Sequence, residues 1–299
     1  MNSITLAKKF IPLLDESYRL ASVTSVLDGN AELVRQGANA NELIIPIMSL
    51  QGLGDYDRNS GYVQGDVTLT NETVTCNFDR GRMFTVDSTD NLETAGVAFG
   101  YLAGEFIRTK VGPELDAFRL ASYASKTGVS SATGTLTDGA GAVSAIRKAV
   151  TKLDEDEVPP EDRYLFITPT LHGMIQDMDT TKSREVLGRF AAVIDVPQTR
   201  FYTQIAQKCG KLVTNVSGET TTTDDQTDGG FVKGTSGKDI NFMVIHKPAV
   251  IQFQKHVSSK IITPEMNPTA DAYKLGYHNV GIADVYKNKL AGVYVHHKA

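Results

Sequence analysis

Residues 105–125, EFIRTKVGPELDAFRLASYAS, carry apolar side chains at helical spacing, and the same pattern begins upstream near Leu92. The periodic positions are Leu92, Phe99, Leu102, Phe106, Ile107, Leu115, Phe118 and Leu120. We predict one long helix from Leu92 to Ser125 that is kinked at Pro113, although two helices would give the same pattern. A continuous helix would span roughly 50 Å, which is long for a compact domain.

Upstream of this helix, residues 41–87 have the composition of extended strands. ELIIPIMS (42–49) is a β-type run, and a second extended segment is predicted from Val67 to Asp87. Between them, QGLGDYDRNSGYVQGD (51–66) is rich in Gly, Asp and Asn, which suit a turn-rich tip. Residues 1–40 show only a drifting helical pattern, and we predict an arm that docks on something else.

Two arginines interrupt the apolar face of the second extended segment. Arg80 and Arg82 fall on the same face as Phe84, and a buried face does not carry two guanidinium groups without acidic partners. Two interpretations stay open: a solvated sheet edge, or a long two-stranded projection that meets a neighbouring subunit, because an isolated hairpin is marginal in water.

Downstream, alternating strands and helices predict a second lobe of α+β type. A helix from Gly141 to Leu153, a buried strand from Arg163 to Thr168 and a short helix to Met178 follow one another. The polar stretch from Thr214 to Asp239 is too long for an ordinary connection, so we predict a mobile or functional loop. After it come strand INFMVIH (240–246), a long antiparallel pair and a last strand near the end of the chain.

Composition and charge exclude several classes of protein. The 299 residues are 41% hydrophobic and 22% charged, as in soluble folded proteins. The formal net charge of -5 argues against a protein that mainly coats nucleic acid. The N-terminus lacks the uninterrupted apolar region of a signal peptide, and no apolar run is long enough to cross a bilayer. We therefore expect a cytosolic chain whose two cysteines are reduced thiols.

The residue types that carry catalysis show no pattern that points to an active site. The six histidines are dispersed, and none has the pairing with glutamate that a zinc hydrolase needs. Two glycine-containing segments, at 139–144 and 232–239, lack essential residues of dinucleotide and phosphate loops. We predict no catalytic, cofactor-binding or metal-binding residue, and a protein that is not an enzyme.

Six blocks of the chain, in this order, resemble the major capsid proteins of tailed bacteriophages. They are GLGDYDRNSGYVQGDVTLT (52–70), NFDRGRMFTVD (77–87), EFIRTKVGPELDAFRLASYAS (105–125), RYLFITPTLHGMI (163–175), INFMVIHKPAVIQ (240–252) and DVYKNKLAGVYVHH (284–297). The resemblance implies the α+β Hong Kong 97-type capsid fold. It also implies an N-terminal arm (1–40), an extended β-hairpin loop (41–87), a peripheral domain with the spine helix (88–137 and 248–284) and an axial domain (138–247 and 285–299).

The resemblance implies a structural protein that assembles with itself into the hexamers and pentamers of an icosahedral head. Such a head would be built in the host bacterial cytoplasm and would enclose double-stranded DNA without sequence-specific binding. Scaffolding, portal and decoration proteins are further expected partners, and no membrane is involved. The alternatives are an encapsulin-like nanocompartment shell, which the long N-terminal arm disfavours, and an enzyme of unknown type.

Two expectations concern the contacts between subunits. We expect Arg58, Arg80, Arg82 and Phe84 to contact a neighbouring subunit. We also expect a shell without covalent cross-links through lysines of the extended loop, because no lysine occurs between Phe10 and Thr109 and arginine cannot act as the nucleophile.

Overall fold

The structure, a computed structural model, describes residues 22–29, 35–36, 42–58, 61–88, 102, 104–178, 180–217 and 220–299. The strands are β1 (Arg35–Gln36), β2 (Glu42–Leu50), β3 (Val67–Thr75), β4 (Phe78–Asp87), β5 (Ser130–Thr133), β6 (Arg163–Ile167), β7 (Ala192–Asp195), β8 (Ile205–Gln207), β9 (Leu212–Ser217), β10 (Thr220–Asp225), β11 (Phe231–Lys233), β12 (Ile240–His246), β13 (Val250–Ile262), β14 (Ala272–Val285) and β15 (Val293–His297). The α-helices are α1 (Gly112–Ser125), α2 (Gly139–Glu155), α3 (Pro169–Met178) and α4 (Thr181–Leu187).

A long hairpin forms a sheet of its own. β2 pairs antiparallel with β3 over its whole length, from Glu42 opposite Thr75 to Leu50 opposite Val67, and β1 adds a short third strand. The predicted hairpin of residues 41–87 is therefore shorter in the structure, because β4 pairs with β14 instead. Asn77 sets this division: its side chain donates to the Ala283 carbonyl at 2.8 Å and accepts from the Ala283 N–H at 3.1 Å.

The predicted long helix packs on a second sheet. β13, β14 and β4 form this antiparallel sheet in the order β13-β14-β4, which confirms the predicted long strand pair. Helical residues 104–106 and a π-helical turn (Ile107–Val111) run directly into α1, so the helix passes through Pro113 without a break. Proline lacks an N–H and disfavours the regular ladder before it, and the wider π turn accommodates this local mismatch. Positions 92–101 of the predicted helix lie outside the described residues.

The second lobe is built on a five-stranded sheet in the order β5-β15-β12-β6-β7. Its central strand β12 is buried at every residue. One face of the sheet packs on α2 and α3, with Leu165, Phe242 and Val244 against Ile146 and Val150. The opposite face contributes to a cluster that also contains residues of α1, β13 and β14. The two lobes therefore share a hydrophobic core, which brings loops of the second lobe next to β4.

The polar stretch from Thr214 to Asp239 contains strands, so the predicted long loop is partly wrong. β9 and β10 form a two-stranded hairpin, and β11 pairs with β8. Threonine is β-branched and favours extended backbone, which the polar composition of this stretch concealed.

Candidate subunit interface

A cleft of about 920 Å³ lies where β4, the spine helix and two loops of the second lobe meet. Alternate residues of β4 point into it, because successive side chains of a strand lie on opposite faces. Its aromatic walls are Phe78, Phe84, Phe106, Phe231 and Tyr277. The rings of Phe84 and Phe106 are 4.8 Å apart and meet edge to face. Both lobes therefore contribute aromatic side chains to the cleft.

Arg80 fastens the two lobes together at one side of this cleft. Its Nε donates to Glu114 Oε1 at 2.8 Å, and its Nη2 donates to the carbonyls of Lys208 at 2.7 Å and Gly230 at 3.3 Å. Burial raises the pKa of Glu114 above its ordinary value, and the charge and hydrogen bond of Arg80 oppose this rise. Arg80 thus supplies the positive charge that a half-buried carboxylate requires.

Arg82 makes a second connection of the same kind. Its guanidinium donates to the carbonyls of Thr227 and Asp228, both at 3.0 Å, and lies 6.0 Å from the centre of the Phe84 ring. Gly229 has a φ of +67°, and a Cβ there would lie 2.7 Å from Arg82 Nη1. The left-handed backbone conformation therefore favours glycine at this position. Together the two arginines hold the base of the β9–β10 hairpin against β4, and we call this pair the arginine clamp.

The tip of the β2–β3 hairpin presents an exposed apolar patch. Leu53, Tyr56, Tyr62 and Val63 are exposed, with Leu53 and Tyr62 almost fully so, and the rings of Tyr56 and Tyr62 are 4.9 Å apart. A backbone bridge between Asp57 and Gly61 shapes the turn, where Gly61 has a φ of +82°. Clustered exposed apolar side chains mark interaction sites.

Opposite charges characterise the tip and the cleft. Residues 51–66 contain three aspartates, Asp55, Asp57 and Asp66, and one basic residue, Arg58. The cleft contains Arg82, Lys110 and Lys208, whereas its two glutamates are each paired with an arginine, and Asp228 is its remaining carboxylate. An acidic, aromatic tip and a basic, aromatic cleft are complementary.

The structure brings three of the four predicted interface residues together. Arg80, Arg82 and Phe84 line the cleft, where the polar contacts described for both arginines lie within their own chain. Arg58 lies apart from them, exposed at the hairpin tip. Their contact with a neighbouring subunit stays a prediction.

Sequence reasoning missed the apolar tip and Glu114. The signal for the tip was present, since Leu53, Tyr56, Tyr62 and Val63 stand in a glycine-rich turn that needs no apolar residue. Glu114 offers no such signal, because its pairing with Arg80 depends on how the helix lies across the sheet.

We searched the rest of the described residues for metal sites, histidine contacts and membrane-spanning helices. Among the residues that the structure describes, no group of three or more His, Cys, Asp and Glu side chains is placed to hold a metal ion. His172 Nδ1 lies 2.7 Å from Asp195 Oδ1 and its Nε2 lies 3.2 Å from Gln176 Nε2, so its ring nitrogens contact a carboxylate and a side-chain amide. No helix within the described ranges is long and apolar enough to cross a membrane.

Neither a protein-family model nor a curated protein matches the chain in sequence. Solved structures match it over most of its length. A chain from Gordonia phage Cozz aligns with a TM-score of 0.57 at 10% identity, covering 93% of this chain and 86% of that one. The capsid of Cyanophage P-SCSP1u aligns with a TM-score of 0.53 at 15% identity, covering 89% and 85%.

A third neighbour comes from outside the phages. The virus-like particle from Pyrococcus furiosus aligns with a TM-score of 0.55 at 10% identity, covering 94% of this chain and 95% of that one. Together these neighbours establish the fold that the sequence predicts.

Proposed function

We propose that this chain, which has the Hong Kong 97-type capsid fold, is the major capsid protein of a tailed bacteriophage. It assembles with itself into hexamers and pentamers of an icosahedral head that encloses double-stranded DNA. The observation that carries this proposal is the hairpin that ends in an exposed apolar tip, because such a surface is costly in water unless another molecule covers it.

The occupant of the cleft, in this proposal, is the hairpin tip of a second copy. Leu53, Tyr56 and Tyr62 would pack on the aromatic side chains of the cleft, and the aspartates of the tip would face Lys110 and Lys208. The interface role expected for Arg58, Arg80, Arg82 and Phe84 fits this arrangement, with Arg58 on the tip and the other three in the cleft. The arginine clamp then shapes the surface that receives the tip.

The division into parts follows from the same proposal. Residues 88–137 with 248–284 and β4 form the peripheral domain, and 138–247 with 285–299 form the axial domain. The β2–β3 hairpin (42–75) is the extended loop, and residues 1–40 include the arm. The subunit is a component of the virion, and its assembly takes place in the host cytoplasm. Scaffolding, portal and decoration proteins are its further partners. The net charge of -5 suits a shell protein that encloses DNA without binding it tightly.

An encapsulin-like compartment shell is the second candidate. It is favoured by the Pyrococcus virus-like particle, whose chain is covered almost completely. The contents of purified particles distinguish the two functions, since a phage head holds a genome and a compartment holds protein cargo. Neither function makes the chain an enzyme.

Charge reversal and rescue test the interface. Lys110→Glu with Lys208→Glu should reduce the yield of shells, and adding Asp55→Lys with Asp57→Lys should restore part of it. Leu53→Asp should block assembly, whereas the control Leu53→Met should not. Assembly that is insensitive to all of these changes would refute tip docking while leaving the capsid function intact. A chain that stays monomeric as wild type would refute the function itself.

A further inference from the structure

The segment Ser22–Gly29, which the sequence assigns to the N-terminal arm, lies in the core of its own chain. Ser22 is 4% exposed, Thr24 is 0% exposed and Leu27 is 1% exposed. Leu27 belongs to the cluster that includes Leu120 of α1 and Val250 of β13. Residues 22–29 therefore do not belong to an arm that docks only on other molecules, as was predicted for residues 1–40.

Asp116 of α1 is the centre of this contact and is fully buried. Its Oδ1 accepts hydrogen bonds from Ser22 Oγ at 2.7 Å, Thr24 Oγ1 at 2.7 Å and the Thr24 N–H at 3.1 Å. Its Oδ2 accepts from the Val23 N–H and from Arg200 Nη1, both at 3.0 Å. A carboxylate withdrawn from water requires such donors, and four of these five come from the segment.

Two further buried side chains hold the same segment. Arg119, 1% exposed, donates to Thr24 Oγ1 at 3.0 Å and pairs with Asp28 at 3.3 Å. Gln252 of β13, 2% exposed, donates to the Thr24 carbonyl and to Asp28 Oδ1, both at 2.7 Å. The Thr24 hydroxyl therefore stands between two buried charges: it donates to Asp116 and accepts from Arg119.

The donors and acceptors of this site come from different parts of the fold. Asp116 and Arg119 lie on α1, Gln252 lies on β13, and Arg200 lies in a short 3-10 helix (Gln198–Arg200) that follows the edge strand β7 of the second lobe's sheet. If the segment left, Asp116 and Arg119 would lose hydrogen-bond partners that they hold at a buried site, which costs more than losing exposed contacts.

We propose that Asp116 is a positioning residue that holds Ser22–Gly29 in place where the two lobes meet. We call this segment the keystone. Ser22 is then held at a fixed point beside α1. The position of Ser22–Gly29 is inferred from contacts within the chain alone. Its importance for assembly rests on the proposed function, because an arm needs a fixed starting point to reach one defined site on a neighbouring subunit.

Hydrogen exchange of the full-length protein tests the keystone, with Thr24→Val and Asp116→Asn as the perturbations. Valine keeps the shape of threonine but removes the hydroxyl, and asparagine removes the charge and places an N–H₂ against donors. The amides of Val23 and Thr24 donate to Asp116, so peptides covering them should exchange at least about tenfold faster. Thr24→Ser retains the hydroxyl and should behave as wild type.

The pattern along the chain decides the outcome. Faster exchange confined to residues 22–29 and their contacts, with β6 and β12 unchanged and a lower yield of shells, would support the keystone. Unchanged exchange in both variants would overturn it, as would an equal increase throughout the chain, which indicates general destabilisation. A Thr24→Ser variant as disturbed as Thr24→Val would also overturn it, because the hydroxyl would then have no role.

Discussion

Removing Arg80 tests whether the arginine clamp stabilises the subunit itself. Arg80→Ala deletes one bond to a carboxylate and two to carbonyls, and it leaves the Glu114 side chain, only 13% exposed, without its cation. A hydrogen bond to a charged group contributes about 1.5–3 kcal/mol, and the partial exposure of Arg80 reduces the ionic part. We expect the free energy of unfolding to fall by about 2–3 kcal/mol.

The matched control is Arg82→Ala, which removes bonds from an exposed guanidinium to two carbonyls and should cost about 0.5–1 kcal/mol. Urea unfolding of unassembled subunits measures both variants. A double-mutant cycle with Glu114→Gln should give a coupling of about 1 kcal/mol between Arg80 and Glu114.

The pH dependence of Arg80→Ala has a defined sign. The folded-state pKa of Glu114 is raised by burial, and it rises further once Arg80 is absent. A carboxyl whose folded pKa exceeds its unfolded value destabilises the fold above that folded pKa, and the penalty disappears as pH falls towards the unfolded value. The stability deficit of Arg80→Ala should therefore shrink on acidification towards pH 4.5, the ordinary pKa of glutamate.

Two results would refute this reasoning. One is an Arg80→Ala subunit as stable as Arg82→Ala, and the other is zero coupling with Glu114→Gln. If the Arg80→Ala subunit keeps its stability but fails to assemble, Arg80 acts mainly between subunits.

Three further predictions concern other regions. Burial lowers the pKa of His296 below 6.5, so the folded state resists its protonation and the protein loses stability as pH falls below 6.5. The variant His296→Phe should therefore lose less stability in acid, and an acid unfolding transition identical to that of the wild type would contradict this role. Joining Leu212 to Asp225 through a two-residue turn should leave the subunit folded by circular dichroism, because among the described residues β9 and β10 pair only with each other. An unfolded product would contradict that assignment. Mature particles boiled in detergent under reducing conditions should release one band near 32.4 kDa, whereas a ladder of covalent multimers would contradict the absence of cross-links.

Local pattern predicted the elements that bury one face, but not the strands of the polar stretch 214–239. The apolar period around Phe106, Phe118 and Leu120 predicts the spine helix, and alternation predicts the β13–β14 pair, because both signals arise from burial on one face. Proline at position 113 alone does not distinguish a kink from a π turn, since both relieve the same clash.

Long-range pairing could not be predicted in the same way. Nothing local to Phe78–Asp87 says whether β4 joins β3 or β14, and the choice depends on Asn77 meeting Ala283, which is 206 residues away. The arginine clamp and the keystone could not be predicted from the sequence either. Arg80 and Gly230, like Thr24 and Asp116, are far apart in the chain and come into contact only in the folded subunit.

Electron cryomicroscopy of purified, assembled protein tests the central claim most directly. We expect closed icosahedral shells in which Leu53 and Tyr62 of one subunit lie against Phe84 and Phe106 of another. We also expect double-stranded DNA inside particles isolated from infected cells. A monomer that never assembles, or shells in which the hairpin tip projects into solvent, would contradict it.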